Sequence, residues 1–370
     1  MKEHSTLSLY IHIPFCKQKC SYCDFVSYEG KEELIGAYVD KLIYEIHCLD
    51  LASIGSGRIA DLKTIYFGGG TPSLLSISNF QSLISNLKSL IPNFSSLEIS
   101  IEANPGTVNK EYLKVLHNLG INRISLGAQS FNDKHLKTLG RIHDSKQIYK
   151  AVEDAKSAGF KNISIDFIFA IPNQTLNEWK HDLEQAVKLE PKHISTYNLQ
   201  IEEGTPLFKT LSFKGRRDYE EDLDAEMYEY TMDFLKSHGY KHYEISNFAE
   251  LGFESKHNLN YWQNGNYLGI GAGAHSHIDG KRWNNTESIE EYLLLDCKGG
   301  SRTTPTGKDS SETLFMGLRL IDGIPTQKFK GYEEKMSKLI KANLLEHEGN
   351  NIKLSKRGLM LANLVFEEFV

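Results

Sequence analysis

Three cysteines fall within eight positions of a 370-residue chain that has five in all. Cys16, Cys20 and Cys23 lie in "PFCKQKCSYCDF", directly after an apolar run. Thiolates at such spacing hold metal, and two chemistries compete. A structural zinc wants four ligands, commonly two separated Cys-x-x-Cys pairs. No second pair exists, although Asp24 or His12 could complete a set. A cubane of four irons needs one outside ligand for each iron. Three thiolates would hold three irons and leave the fourth open to a substrate or cofactor. Spacing alone leaves both readings open. Cys48 and Cys297 stand apart and read as small buried residues.

A second cluster of interest is "GGGTPS" (68–73). Glycines let backbone N–H groups approach a ligand, and Thr71 adds a hydroxyl. The lysine of a Walker phosphate loop is missing. Further along, Glu102 ends an apolar run, where it could accept hydrogen bonds from an ammonium or a ribose.

These residues need a scaffold, and the chain spells one out. "LSLYIHI" (7–13), "TIYFGGG" (64–70), "SLEISIEANP" (96–105), "RISLGAQS" (123–130), "NISIDFIFAIP" (162–172) and "HISTYNLQI" (193–201) read as six strands. Amphipathic helical patterns separate them at 32–46, 78–91, 110–119, 145–158 and 175–189. Strands alternating with helices predict a parallel sheet of right-handed crossovers. Six units are fewer than the eight of a closed barrel, so the fold class expected is α/β, a partial open (β/α)6 TIM-type barrel.

Side chains alternate across a strand. Glu98, Ser100 and Glu102 share one face of the third strand. Ser125, Gly127 and Gln129 share one face of the fourth, and Ser164 and Asp166 of the fifth. Thr196, Asn198 and Gln200 align on the sixth, and Tyr10 and His12 on the first. A packed barrel interior would be branched and apolar; this one predicts a wet cavity around a polar ligand.

After residue 205 the pattern changes to a charged helix (216–239), a strand at 242–249, and a Gly-, Asn- and aromatic-rich stretch to about 286. Helices and a hairpin near 346–355 follow, in the order of a winged-helix-like unit within a C-terminal α+β domain. The expected divisions are 1–210, the barrel; 211–305, a connecting region; and 306–370, the winged-helix-like domain. The formal net charge of −6 gives no footprint for nucleic acid. "MKEHSTLSLY" lacks the apolar core of a signal peptide, and no run approaches the ~20 apolar residues of a membrane span. A cytoplasmic protein with reduced thiols is expected.

The Cys-x-x-x-Cys-x-x-Cys loop after a first strand resembles the signature of radical S-adenosylmethionine (SAM) proteins. "YFGGGTPS" (66–73), "IEANPGT" (101–107), "ISLGAQSF" (124–131), "YEISNFA" (243–249) and "HNLNYW" (257–262) extend the likeness over nearly the whole chain. They are similar to the branch containing oxygen-independent coproporphyrinogen III oxidase and, more narrowly, to its heme-chaperone members. The resemblance implies a [4Fe–4S] cluster on Cys16, Cys20 and Cys23, with SAM chelating the open iron. An electron from the cluster would cleave SAM to a 5′-deoxyadenosyl radical. Gly69, Gly70 and Thr71 would meet the methionyl group. Tyr10, Tyr22, Glu102, Gln129, Arg141 and Asp166 would complete the SAM contacts, Arg141 through a bidentate fork. His257 would ligate heme iron, with Tyr261 and Trp262 packing the macrocycle and His275 and His277 as rival ligands. Implied partners are heme or another tetrapyrrole, a recipient hemoprotein such as a membrane respiratory enzyme, an electron donor such as flavodoxin or ferredoxin, and a second copy of the chain.

Apart from the family, Arg141 reads equally as a surface charge at a helix end, Tyr10 as a half-buried strand tyrosine, and His257 as a hydrogen-bonded structural residue. Two departures separate the chaperone from the oxidase. The oxidase carries a fourth cysteine where this chain has Phe25, and a longer N-terminal extension. Both favour heme binding and delivery over the alternative, oxidative decarboxylation of coproporphyrinogen III. Ala170 and Asn173 stand where relatives usually show glycine.

Overall fold

The computed structural model describes residues 7–52, 62–213, 221–296, 302–304 and 310–369. Six parallel strands form its centre: β1 (Leu7–Ile13), β2 (Leu62–Gly69), β3 (Glu98–Ala103), β4 (Arg123–Gln129), β5 (Asn162–Phe169) and β6 (His193–Asn198). They stand side by side in chain order. Between them run α1 (Ile35–Ala52), α2 (Ile77–Leu90), α3 (Lys110–Leu119), α4 (Ser145–Ala158) and α5 (Leu176–Lys188). Four of these helices start where a polar side chain accepts an otherwise free N–H: Ser76 from Asn79, Asn109 from Tyr112, Asp144 from Gln147 and Thr175 from Glu178.

The strands' outer faces hold the core. Ile101 lies beside Ile124, and Ile124 beside Ile163, all buried under the helices. Apolar burial of this kind stabilises by about 25 cal/mol per Å², and it fixes the register. A one-residue slip would turn every isoleucine inward and every polar residue out. The alternate residues therefore face the barrel interior.

The sheet continues past the barrel at both edges. α6 (Glu221–Ser237) leads to β7 (Lys241–Glu244) and β8 (Asn247–Ala249), a hairpin whose β8 pairs antiparallel with β6. "HYEISNFA" is thus two short strands, because its middle residues turn the chain. α7 (Lys256–Trp262) follows, then β9 (Asn266–Ile270), which pairs parallel with β1 and begins an antiparallel run ending at Arg302–Thr304. Among the described residues, twelve strands form one sheet whose two edges do not meet. The open barrel expected from six units is what forms, and the described part of 211–305 widens it.

"HNLNYW" belongs to α7, within the Gly-, Asn- and aromatic-rich stretch to which composition assigns no element. Ser255 starts the helix by accepting from the Asn258 N–H, and seven residues are too few to show a helical period. The C-terminal unit has its own core of Leu314, Leu318, Leu339, Ile352 and Phe369. Its hairpin, Leu345–Glu348 with Asn351–Leu354, lies in the chain between the helices Glu333–Lys341 and Lys356–Met360. Cys48 is disulfide-bonded, not the lone residue expected, and Cys297 lies outside the described residues. Among the described residues, no helix is long and apolar enough to cross a membrane.

Candidate functional site

The cysteine loop sits over the C-terminal ends of the barrel strands. A two-residue strand, Phe15–Cys16, pairs with Tyr28–Glu29 and closes its base. Its crown is laced to the segment after β4: Ser21 donates through its backbone to Leu139 O at 3.0 Å and through Oγ to Thr138 O at 2.8 Å. Tyr22 packs into an apolar cluster of Leu139, Ile168, Ile171, Leu199 and Leu207. The loop is thereby fixed from two sides before any ligand enters.

All three thiols are free and line one cavity of about 560 Å³, within the usual range for a cofactor site. Burial pushes the Cys16 and Cys23 thiols up, with the Lys19 charge opposing the rise at Cys23. Arg141 stands at the third thiol. It is a cavity residue and not a surface charge: Nη1 donates to Cys20 Sγ at 3.3 Å and Nη2 to Gly127 O at 2.7 Å. Its Nε is buried without a partner.

The glycine run sits against this loop. At Gly69 a Cβ would lie 2.6 Å from the His12 ring, and φ is +114°. At Gly70 it would lie 2.7 Å from Phe15 O and 3.0 Å from Cys16 Sγ. No side chain fits at either position. The N–H groups do not form an anion nest, since Gly70 donates to Ile13 O, Thr71 to Phe15 O and Gly69 to Glu102. The run instead brings backbone close to the cysteines, with Thr71 Oγ1 3.7 Å from Cys16 Sγ.

Deeper in the barrel stand two carboxylates. Glu102 accepts from Tyr66 OH at 2.8 Å and from the Gly69 N–H at 3.3 Å. Burial, with the Asp166 charge adding, pushes it up to about 7 against those two hydrogen bonds. Asp166 accepts from Ser125 at 2.7 Å, Ser164 at 3.0 Å and Ser195 at 2.6 Å, and burial raises it too. Gln129 closes β4 at φ 67°, an uncommon backbone for a side chain of its size, and its Oε1 is buried without a partner.

Cys16, Cys20, Cys23, Tyr22, Gly69, Gly70, Thr71, Glu102, Gln129, Arg141 and Asp166 all line this cavity. Tyr10 does not. It lies one layer down, its OH 3.1 Å from His12 Nδ1 and its ring beneath Gly68. His257 lies in the same lower layer and is not at the wall. Its Nδ1 is 2.7 Å from Thr64 Oγ1 and its Nε2 2.9 Å from Tyr261 OH. On β6 the residues facing the cavity are His193, Ser195 and Tyr197, with Asn198 and Gln200 at the rim. Thr196 belongs to the opposite face. Both faces of that strand are polar, so composition chose the wrong phase. Tyr66 and Arg123 also line the cavity without having been singled out; the alternation Thr64, Tyr66, Gly68 carried the signal for Tyr66.

The fit to the two candidate metals differs. His12 has both ring nitrogens engaged, with Tyr10 OH and with Val26 O at 2.8 Å. Among the described residues, no three His, Cys, Asp or Glu side chains converge on one ion position. A four-ligand zinc lacks its set. A larger group resting on three thiols, next to orphaned polar atoms on Arg141 and Gln129, matches the donors present.

Fold and site together define a radical SAM protein. The sequence profile of the Radical SAM superfamily matches residues 10–186, and that of the HemN C-terminal domain residues 310–361. The chain is 39% identical to heme chaperone HemW of Lactococcus lactis, covering 98% of this chain and 97% of the relative. It is 36% identical to heme chaperone HemW of Bacillus subtilis, covering 98% and 99%. The chain belongs to the HemW family. Coproporphyrinogen III oxidase (HemN) from Escherichia coli shares its fold, with a TM-score of 0.81 at 21% identity over 99% of this chain and 90% of that one. The cofactors that go with the superfamily are a [4Fe–4S] cluster and SAM.

Proposed function

We propose that this chain is a heme chaperone that carries a [4Fe–4S] cluster on Cys16, Cys20 and Cys23, holds SAM in the barrel, and delivers heme to a recipient hemoprotein. The observation that carries the reading is the shared cavity: three free thiols and the Glu102–Asp166 pair open onto one space. When bound, the cluster supplies an iron with an open position and a source of one electron. The chain's own residues do the rest. Arg141 offsets thiolate charge at Cys20, and its free Nε remains to donate to a carboxylate. Glu102 and Asp166 accept from cationic or hydroxyl groups, and Gly69 and Gly70 let a ligand approach the cysteines without steric conflict. Tyr22 covers the loop side and excludes water.

The heme part of the proposal rests on the relatives named heme chaperones and on Phe25. That residue, 69% exposed at the cavity mouth, occupies the position of the oxidase's further cysteine, which supports binding over decarboxylation. The heme ligand needs revision. His257 could meet iron only if α7 left its seat and both ring hydrogen bonds broke. His277 is buried and bonded to Gly265 O. His275 is exposed and is the one of the three open to iron in this conformation. A cytoplasmic site of action, a membrane respiratory enzyme as recipient, a flavodoxin- or ferredoxin-type electron donor and a homodimer complete the proposal.

The test is anaerobic reconstitution followed by heme titration and coproporphyrinogen turnover in parallel. Iron and sulfide should bind in the wild type and be lost in Cys20→Ala. Heme should give a Soret band, weakened in His275→Ala, without conversion of coproporphyrinogen. Useful turnover to protoporphyrinogen would overturn the chaperone reading in favour of the oxidase.

A further inference from the structure

We propose that His257 is a positioning residue for the Glu102 carboxylate, acting through Tyr66, and so sets how tightly the cavity holds SAM. The inference rests on the reading of the cavity as a SAM site.

His257 is 1% exposed and its ring is pinned at both nitrogens. Thr64 Oγ1 holds Nδ1 and itself donates to Ser8 Oγ at 2.8 Å, while Tyr261 OH holds Nε2. The height of α7 is fixed as well, because Glu98 Oε1 accepts from the Lys256 and His257 N–H groups at 3.0 and 3.3 Å. The imidazole thus presents one fixed plane to the barrel. Tyr66 lies on that plane, with ring centroids 4.9 Å apart and 29° between planes. Tyr66 has no slack elsewhere: Tyr10 stacks at 6.2 Å, and a Cβ on Gly68 would lie 3.0 Å from both tyrosine rings. The far end of Tyr66 is its OH, 2.8 Å from Glu102 Oε1.

A continuous contact therefore runs from the floor helix to the carboxylate. Burial lowers the imidazole to about 3, so His257 acts as a flat, neutral support without placing a charge beneath the phenol. Offset aromatic stacking favours this arrangement. Without the ring, Tyr66 can drop toward the floor and its OH leaves Glu102, which then turns without its partner.

The experiment is isothermal titration of anaerobically reconstituted protein with SAM. His257→Ala should weaken SAM binding about five- to tenfold, and His257→Phe, which keeps the plane, should stay within about twofold. In a Tyr66→Phe background, His257→Ala should have no further effect, since its route to Glu102 is already cut. Wild-type affinity in His257→Ala, or an undiminished loss in the Tyr66→Phe background, overturns the inference. Should His257→Ala fail to fold, Thr64→Val frees Nδ1 and carries the test: about threefold weaker SAM binding is expected, and unchanged affinity overturns the inference. A wild type that binds no SAM would sink the site reading itself, an outcome distinct from a wild type that binds beside an inert His257→Ala.

Discussion

Glu102 shows how one buried residue can make ligand affinity depend on pH. Its carboxyl titrates at about 7, above the ordinary 4.5, with burial the main cause. In the free protein the folded state therefore holds the proton more tightly than the unfolded state. Its contribution to stability is present below about 4.5, is lost as pH rises toward 7, and changes no further above. A ligand that donates to the carboxylate must wait for that proton to leave. SAM should bind about fivefold more tightly at pH 7 than at pH 6, following the ionised fraction, and the gain should level off above. Glu102→Gln should remove the dependence. Titrations at the two pH values check this, and an equal slope in wild type and Glu102→Gln would contradict it. Glu102, Asp166 and Gln129 were legible in the sequence because alternation on an otherwise apolar strand leaves each no place but the interior. The depth of each was not legible. Tyr10 shares that interior face, yet it lies under the cavity because Tyr66 and His257 fill the lower layer with rings.

At the scale of elements, the connection from β5 to α5 holds two residues with an uncommon backbone. Ala170 has φ 61° and Asn173 φ 66°, both in the left-handed region. Asparagine enters that region readily, whereas alanine does so against a clash of its Cβ with the carbonyl oxygen. Glycine at these places would meet the backbone requirement of the turn without strain; Ala170 is not among the residues lining the cavity. Ala170→Gly should stabilise the chain by about 0.5–1 kcal/mol, the relief of strain exceeding the added freedom of the unfolded chain. Urea unfolding checks it, and a neutral or destabilising result would mean the turn relaxes around alanine. The crossover helices were legible because their caps and apolar stripes are local. The β7–β8 hairpin and α7 were not. Each is too short to show a period, and each is held by distant partners: β8 by β6, and α7 by Glu98 158 and 159 residues away in sequence.

Across the whole molecule, α7 joins the barrel to the C-terminal unit. One end carries His257 beneath the layer of Tyr66 under the cavity; the other carries Trp262, which the Arg319 guanidinium covers at 4.3 Å. The C-terminal unit meets the sheet edge through backbone bonds, Ile245 N–H to Arg319 O at 3.1 Å and Ile321 N–H to Tyr243 O at 3.2 Å. Arg319 Nη2 also lies 3.8 Å from Glu244 Oε2. Glu244 is fully buried, and burial raises its carboxyl while Arg319 opposes the rise. Removing the arginine leaves a carboxylate inside the protein without its counter-charge. Arg319→Ala should cost about 3 kcal/mol, more as pH rises above about 4.5, because the folded state then keeps a proton that the unfolded state releases. Adding Glu244→Gln should recover part of that loss. The amide keeps an oxygen for the Ser246 and Asn247 donors that Glu244 Oε1 now serves, and it removes the stranded charge. Urea unfolding of the single and double variants at pH 5 and 8 decides the matter. An Arg319→Ala protein as stable as wild type at both, or a double variant no better than the single, would show that the backbone bonds and the other side-chain contacts, such as Arg282 with Glu312 at 2.6 Å and Lys241 with Asp322 at 2.9 Å, hold the C-terminal unit to the barrel without the Arg319–Glu244 pair.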